Sequence, residues 1–250
     1  MIENPSVNRI ENLAYIYEKG RDDLPVVVFL PGFKSDMMGF KAQFLAQILK
    51  KRDQGYLRLD YSGHGVSGGR FEEGNIGLWT KDALKIIDNV TTGPLIVIGS
   101  SMGGWIGLIV ALQRKERVRG YIGIAAAPDF TRYIDRKFTP EQKRALEEQG
   151  FFKAPSEYGE DLIMTRQFLE DGEKQCLLDR DLDLKIPVTL LQGKLDDDVY
   201  WKMTEKIAEK LPKTETRIVL VEDGDHRLSR EQDLALLETE VIRMTDKLLS

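Results

Sequence analysis

The chain has 250 residues, a net charge of −5 and 42% hydrophobic residues, which suits one α/β domain over residues 1–250 with a single core. The acidic balance, with no basic stripe carrying interleaved aromatics, excludes a nucleic-acid partner, and no run of roughly eighteen apolar residues is present to span a membrane. The one cysteine, Cys176, permits neither an internal disulfide nor a metal-ligand spacing, so a reducing, cytoplasmic setting without metal or organic cofactor is expected.

Met1-Ile2-Glu3-Asn4-Pro5-Ser6 has neither the basic region nor the apolar core of a targeting peptide. Strands are then predicted at Leu13–Tyr17, Val26–Leu30, Tyr56–Asp60, Leu95–Gly99, Tyr121–Ala125, Val188–Gln192 and Thr216–Val221, where short apolar runs are rich in β-branched residues. Helical spacing predicts helices near Asp36–Lys51, with Ser35 or Asp36 as N-cap, and at Gly77–Asn89, Met102–Lys115, Val199–Lys210 and Arg230–Leu249. Asp198 reads as the N-cap of the helix at Val199. The alternation predicts an α/β fold, a mostly parallel central sheet with helices on both faces.

The alternation breaks at residues 128–184. Thr139-Pro140-Glu141 opens one helix there, with Pro140 in the first turn, and a second is predicted from Glu157 to Leu169. This insert holds 14 acidic and 9 basic residues, while the rest of the chain is neutral. A solvated helical surface accounts for that excess. Phe130, Tyr133, Phe151, Phe152, Leu162, Ile163 and Phe168 are among its apolar residues, available for packing on the core or for lining an apolar pocket.

Gly99-Ser100-Ser101-Met102-Gly103 carries the chemistry. It reads Gly-x-Ser-x-Gly between a predicted strand and a predicted helix. A sharp strand-to-helix turn strains the middle residue and lifts the Ser101 hydroxyl off the sheet, while glycines on either side let strand and helix approach. A serine nucleophile needs a base, and the base an orienting carboxylate. His226 lies in the polar loop Glu222-Asp223-Gly224-Asp225-His226 after the last predicted strand, and Asp196-Asp197-Asp198 follow the strand before it. All three positions fall at C-terminal strand ends, where open α/β sheets place their sites. The amides of Met102 and Phe33, the latter in the loop Pro31-Gly32-Phe33, are candidates for an oxyanion hole. The Phe33 side chain either borders an acyl pocket or packs in the core.

Several blocks together resemble one family. They are Leu30-Pro31-Gly32-Phe33-Lys34-Ser35-Asp36-Met37 with Lys41-Ala42, Tyr61-Ser62-Gly63-His64-Gly65-Val66-Ser67-Gly68-Gly69, and Phe71-Glu72-Glu73-Gly74-Asn75-Ile76-Gly77 with Trp79 and Asp82-Ala83. With the segments around Ser101, Asp196 and Asp225-His226-Arg227, the chain resembles the α/β-hydrolase superfamily. Within it, the chain is similar to the mitochondrial palmitoyl-protein thioesterase and acyl-glucuronide esterase family (α/β-hydrolase domain protein ten) and its bacterial relatives. The resemblance implies an α/β-hydrolase fold, a cap formed by residues 128–184, and hydrolysis of acyl esters or thioesters of small molecules or proteins. It also implies a Ser101–Asp196–His226 triad, because Gly193, Asp196 and Val199 fit the family spacing Gly-x-x-Asp-x-x-Val and Asp197 and Asp198 do not. His64 sits in a loop whose histidine braces structure in relatives, and its place ahead of Ser101 breaks the expected order of nucleophile, acid and base. Gln192 and Tyr200 depart from the pattern: many relatives have His at the former position and Pro at the latter. A peptidase, an acyltransferase or a ligand-binding protein without turnover is the alternative on the same fold.

Overall fold

The computed structural model describes residues 6–154 and 161–250. A short hairpin, β1 (Asn8–Ile10) and β2 (Leu13–Glu18), precedes β3 (Val26–Leu30), α1 (Phe40–Lys51) and β4 (Tyr56–Leu59). Then come α2 (Ile76–Val90), β5 (Leu95–Ser100), α3 (Met102–Gln113) and β6 (Val118–Ile124). The insert contributes α4 (Thr131–Ile134), α5 (Pro140–Gln149), β7 (Phe151–Ala154), β8 (Leu162–Thr165) and α6 (Arg166–Lys174). The chain ends with β9 (Val188–Gly193), α7 (Met203–Glu209), β10 (Thr216–Val221) and α8 (Glu231–Leu249).

Eight strands form one sheet in the order β1-β2-β4-β3-β5-β6-β9-β10. The β1–β2 and β2–β4 pairs are antiparallel, and every pair from β4 to β10 is parallel. Parallel strands need crossover helices, so both faces are covered and β3 is buried along its length. Strand alternation divides the core into two layers. Val28, Leu30 and Val97 face α2 and α3, whereas Val27, Phe29, Ile96 and Ile98 face α1 and α8. Ten residues of α3 are buried, so this helix is apolar all round, as the helix behind a central strand must be.

The insert packs on the α2–α3 side, where Leu146, Phe152, Met164, Phe168 and Leu177 join the same apolar cluster. At α5 the Thr139 hydroxyl accepts the Gln142 amide at 3.2 Å and the Gln142 side chain accepts the Thr139 amide at 2.9 Å, a reciprocal cap. The helix predicted over Glu157–Leu169 is corrected. Residues 157–160 lie outside the described residues, residues 162–165 form β8 paired with β7, and α6 begins only at Arg166 with Thr165 capping Phe168 at 3.1 Å. Leu162-Ile163-Met164-Thr165 is an apolar stretch whose β-branched members favour a strand.

Two helix starts are also corrected. Asp36 accepts the Met38 amide at 2.7 Å in a tight turn, and α1 begins at Phe40 after Gly39. Asp198 caps no helix: the Val199 amide is taken by Asp196 at 2.7 Å, and α7 starts at Met203 after a turn closed by Met203 N–H on the Tyr200 carbonyl.

Asp129 ties the end of the insert to the sheet. It is fully buried at φ 59°, and its carboxylate accepts the Leu177 and Leu178 amides at 2.8 and 2.9 Å. Each bond to a charged acceptor contributes roughly 1.5–3 kcal/mol. Asp129→Ala is therefore expected to lower Tm by roughly 6–24 °C, and Asp129→Asn, which keeps an acceptor and tolerates the left-handed backbone, by clearly less. Equal melting of Asp129→Ala and wild type in calorimetry would refute this clamp.

Candidate active site

Ser101 stands between β5 and α3 with φ 54° and ψ −120°, a region that a residue with a Cβ occupies only under constraint. The constraint is local. The Ser101 amide donates to the Ile124 carbonyl at 2.9 Å, and the Ser101 carbonyl accepts the Gly104 and Ala127 amides at 2.8 and 3.1 Å. A Cβ on Gly99 would strike the Gly103 carbonyl, and one on Gly103 would strike the carbonyls of Leu30 and Pro31. Both positions must be bare for helix and strand to meet. The positive end of α3 lies at the Ser101 hydroxyl.

His226 and Asp196 arrive from the two neighbouring loops on the far side of β6. Ser101 Oγ lies 3.0 Å from His226 Nε2, and His226 Nδ1 lies 2.8 Å from Asp196 Oδ2. The Asp196 carboxylate is wholly buried while the imidazole keeps 24% of its surface exposed. A carboxylate at Nδ1 fixes the proton there, which leaves Nε2 as the acceptor for the serine hydroxyl. Asp196 Oδ1 accepts the Asp198 and Val199 amides at 2.9 and 2.7 Å, and Oδ2 also accepts Gln192 Nε2 at 2.7 Å. Burial raises the affinity of this carboxylate for a proton. The bonds from His226, Val199 and Gln192, with the charge of His226, outweigh that and hold it below the usual range. Asp197 and Asp198 are both exposed, and Asp198 faces Lys137 at 4.0 Å.

The two loops are bound to each other and to α1. The Lys194 and Leu195 amides donate to the Val221 and Gly224 carbonyls, each at 2.9 Å. Lys41, at the start of α1, donates to the Arg227 carbonyl and, at 3.3 Å, to the Ser229 hydroxyl. Desolvation there pushes the Lys41 ammonium down to about 8. Lys41 and Gln192 are contacts that the sequence reading did not assign. Both are tertiary, and only the departure at Gln192 marked one of them.

The loop after β3 covers the serine. A Cβ on Gly32 would lie 3.3 Å from both the Ser100 carbonyl and Ser101 Cβ. Among the described residues, neither the Phe33 nor the Met102 amide donates a hydrogen bond. The Phe33 ring packs against Phe71, Phe168, Trp79 and Phe130 at centroid distances of 4.9, 5.4, 6.0 and 6.2 Å. This aromatic box joins the loop after β3 to the insert. His64 lies beneath it, 4.9 Å from Trp79 and 5.1 Å from Phe71, with Nδ1 3.3 Å from the Ser62 carbonyl. Burial depresses its imidazole to about 4.

A family model described as "Serine aminopeptidase, S33" matches residues 22–155. Human mitochondrial palmitoyl-protein thioesterase ABHD10 is 36% identical over 241 residues, covering 96% of this chain and 78% of the relative. The chain belongs to the ABHD10 family of α/β hydrolases. Mouse α/β-hydrolase domain-containing protein 10 superposes with a TM-score of 0.88 at 35% identity, covering 98% of this chain and 99% of that one. A crystal structure from Agrobacterium vitis S4 does so with 0.89 at 37% identity, covering 96% of each chain. The fold is the α/β-hydrolase fold, and the family makes the protein a serine ester or thioester hydrolase. Among the described residues no helix is long and apolar enough to cross a membrane.

His64 carries a pH prediction. A buried neutral imidazole leaves the unfolded chain to take up the proton as pH falls through about 6.5, so stability is lost between there and about 4, the folded value. Urea melts at pH 7 and pH 5 should show wild type losing roughly 2 kcal/mol relative to His64→Gln. Parallel losses in the two proteins would contradict this reading.

Proposed function

We propose that this chain hydrolyses acyl thioesters and acyl esters through a Ser101–His226–Asp196 triad. The observation that carries the proposal is the placement of His226, with one ring nitrogen on the serine hydroxyl and the other on a buried carboxylate. As Ser101 Oγ attacks the acyl carbonyl, His226 Nε2 takes its proton. Asp196 holds the ring and stabilises its protonated form. The tetrahedral oxygen is received by the amides of Met102 and Phe33, whose unengaged N–H groups support that role. His226 then protonates the departing thiol or alcohol, and the acyl group stays on Ser101. Water, deprotonated by the same nitrogen, attacks the acyl-enzyme and releases the acid.

We assign residues 128–184 as a cap over this site and the Phe33–Phe71–Phe130–Phe168 box as the apolar wall that receives the acyl chain. The relatives' name supports an acyl-protein or small acyl thioester as substrate. No metal or organic cofactor enters these steps. The single cysteine suits a reducing compartment; we propose the cytoplasm, although the relatives carry the word mitochondrial in their name. The family model's description names a peptidase, so amide cleavage is the second reading. The names of relatives that match nearly the whole chain support thioesters as the first reading.

Steady-state rates on acyl thioesters, oxyesters and aminoacyl amides of graded chain length test the proposal. Wild type should turn over long-chain thioesters many times per enzyme, and Ser101→Ala should lose at least about 10³-fold. Unchanged turnover in Ser101→Ala would sink the assignment, and a preference for amides would favour the peptidase reading.

A further inference from the structure

Gln192 is the last residue but one of β9 and is completely buried. It stands where the sequence departs from the family pattern. Its Nε2 donates to Asp196 Oδ2 at 2.7 Å and to the Val199 carbonyl at 3.1 Å, with the Gly193 carbonyl further away at 3.3 Å. Asp196 Oδ2 is the same oxygen that receives His226 Nδ1. Among the described residues, Gln192 Oε1 has no partner. A buried acceptor left unpaired is unfavourable, and an apolar side chain of similar volume would fill the space without that cost. What the amide supplies in return is the donor on Asp196. The amide orientation is dictated as well, because the reverse would set Oε1 against the carboxylate.

We infer that Gln192 is a positioning residue for the hydrolytic reaction. It fixes the rotation of the Asp196 carboxylate and shares the oxygen that orients His226, and so sets the pH range over which His226 works as a base. This inference rests on the triad proposed above. An amide donor spreads the charge of Oδ2, which weakens the carboxylate's hold on the imidazolium. It also carries no titration of its own. A histidine at this position could change its charge with pH, whereas the glutamine adds no second titrating group beside the acid. The groups that face Asp196 are few. His226 meets it from the loop after β10, while on its own loop Asp197 and Asp198 are exposed, Asp198 near Lys137, and Lys194 pairs with Glu222 at 2.8 Å.

The test is the pH dependence of kcat with a p-nitrophenyl acyl ester, comparing wild type, Ser101→Ala, Gln192→Leu, Gln192→Glu and Gln192→Asn, with thermal melts at each pH. Gln192→Leu should fold, lose about tenfold in kcat, the scale of one hydrogen bond to a charged group, and move its acid limb upward by at least about half a pH unit. Gln192→Glu is the sharper variant. Its carboxyl, buried against Asp196, donates only while protonated, so its activity should fall as pH rises through the range where wild type is still gaining. Gln192→Asn, too short to reach Asp196, should resemble Gln192→Leu. Identical pH profiles in wild type and Gln192→Leu, or a Gln192→Glu profile parallel to wild type, would overturn the inference and leave the triad standing. Retained activity in Ser101→Ala would instead remove the triad on which the inference rests.

Discussion

The left-handed backbone of Ser101 is the constraint on which the site depends. A serine at φ 54° and ψ −120° is disfavoured by roughly 1–3 kcal/mol, and isolated from its surroundings it would relax. It cannot relax here, because its amide and carbonyl are held from β6 and the loop beyond it. The strand before it is flanked by β3 and β6, and the helix after it buries ten residues. Met102, Trp105, Ile106, Leu108, Ile109 and Val110 are among them, and burial of large apolar side chains, roughly 1.5–3 kcal/mol each, far exceeds the local strain. The elbow is therefore as rigid as the centre of the sheet, and the hydroxyl it presents is positioned by the whole core. Gly99 and Gly103 are needed because the helix begins where a side chain would meet carbonyl oxygen.

The rest of the site is arranged around a buried negative charge. Taking a carboxylate out of water is unfavourable unless its oxygens are satisfied. Asp196 meets that condition with two backbone amides on one oxygen and with Gln192 and His226 on the other. The loop after β9 is shaped by this need: Asp196 takes the Val199 amide, and the helix that follows starts four residues later. Lys41 then fastens the histidine loop to α1 from outside. The imidazole keeps a solvent-facing edge, which suits the proton exchange with water that we propose for deacylation.

Much of this was legible in the sequence because it depends on local pattern. The parallel sheet followed from apolar runs separated by helical periods, and Ser101 and His226 stood out by their place at strand ends. The preference for Asp196 over Asp197 came from family spacing, and the structure brings Asp196 to the imidazole. The readings that failed were those where a tertiary demand overrides a local signal. Asp36 and Asp198 have the chemistry of helix caps, yet one closes a turn and the other lies in the solvent-exposed part of the acid loop. Leu162–Thr165 has neighbours suited to a helix but pairs with Phe151–Ala154 across the insert. The three-residue strand β1 carries too little pattern to announce itself. Lys41 reaches the histidine loop from 186 residues away, and Gln192 lies four residues from Asp196, where its departure from the family pattern marked the position but not the contact.

The central claim is that an acyl group passes through the Ser101 hydroxyl. The most direct measurement is to quench the enzyme during turnover of an acyl thioester and map the added mass by peptide mass spectrometry. The account predicts an increment equal to the acyl group on the peptide containing Ser101, formed within one turnover and lost on continued incubation in water. Turnover with no such adduct, or with the acyl group on Cys176 in place of Ser101, would contradict it.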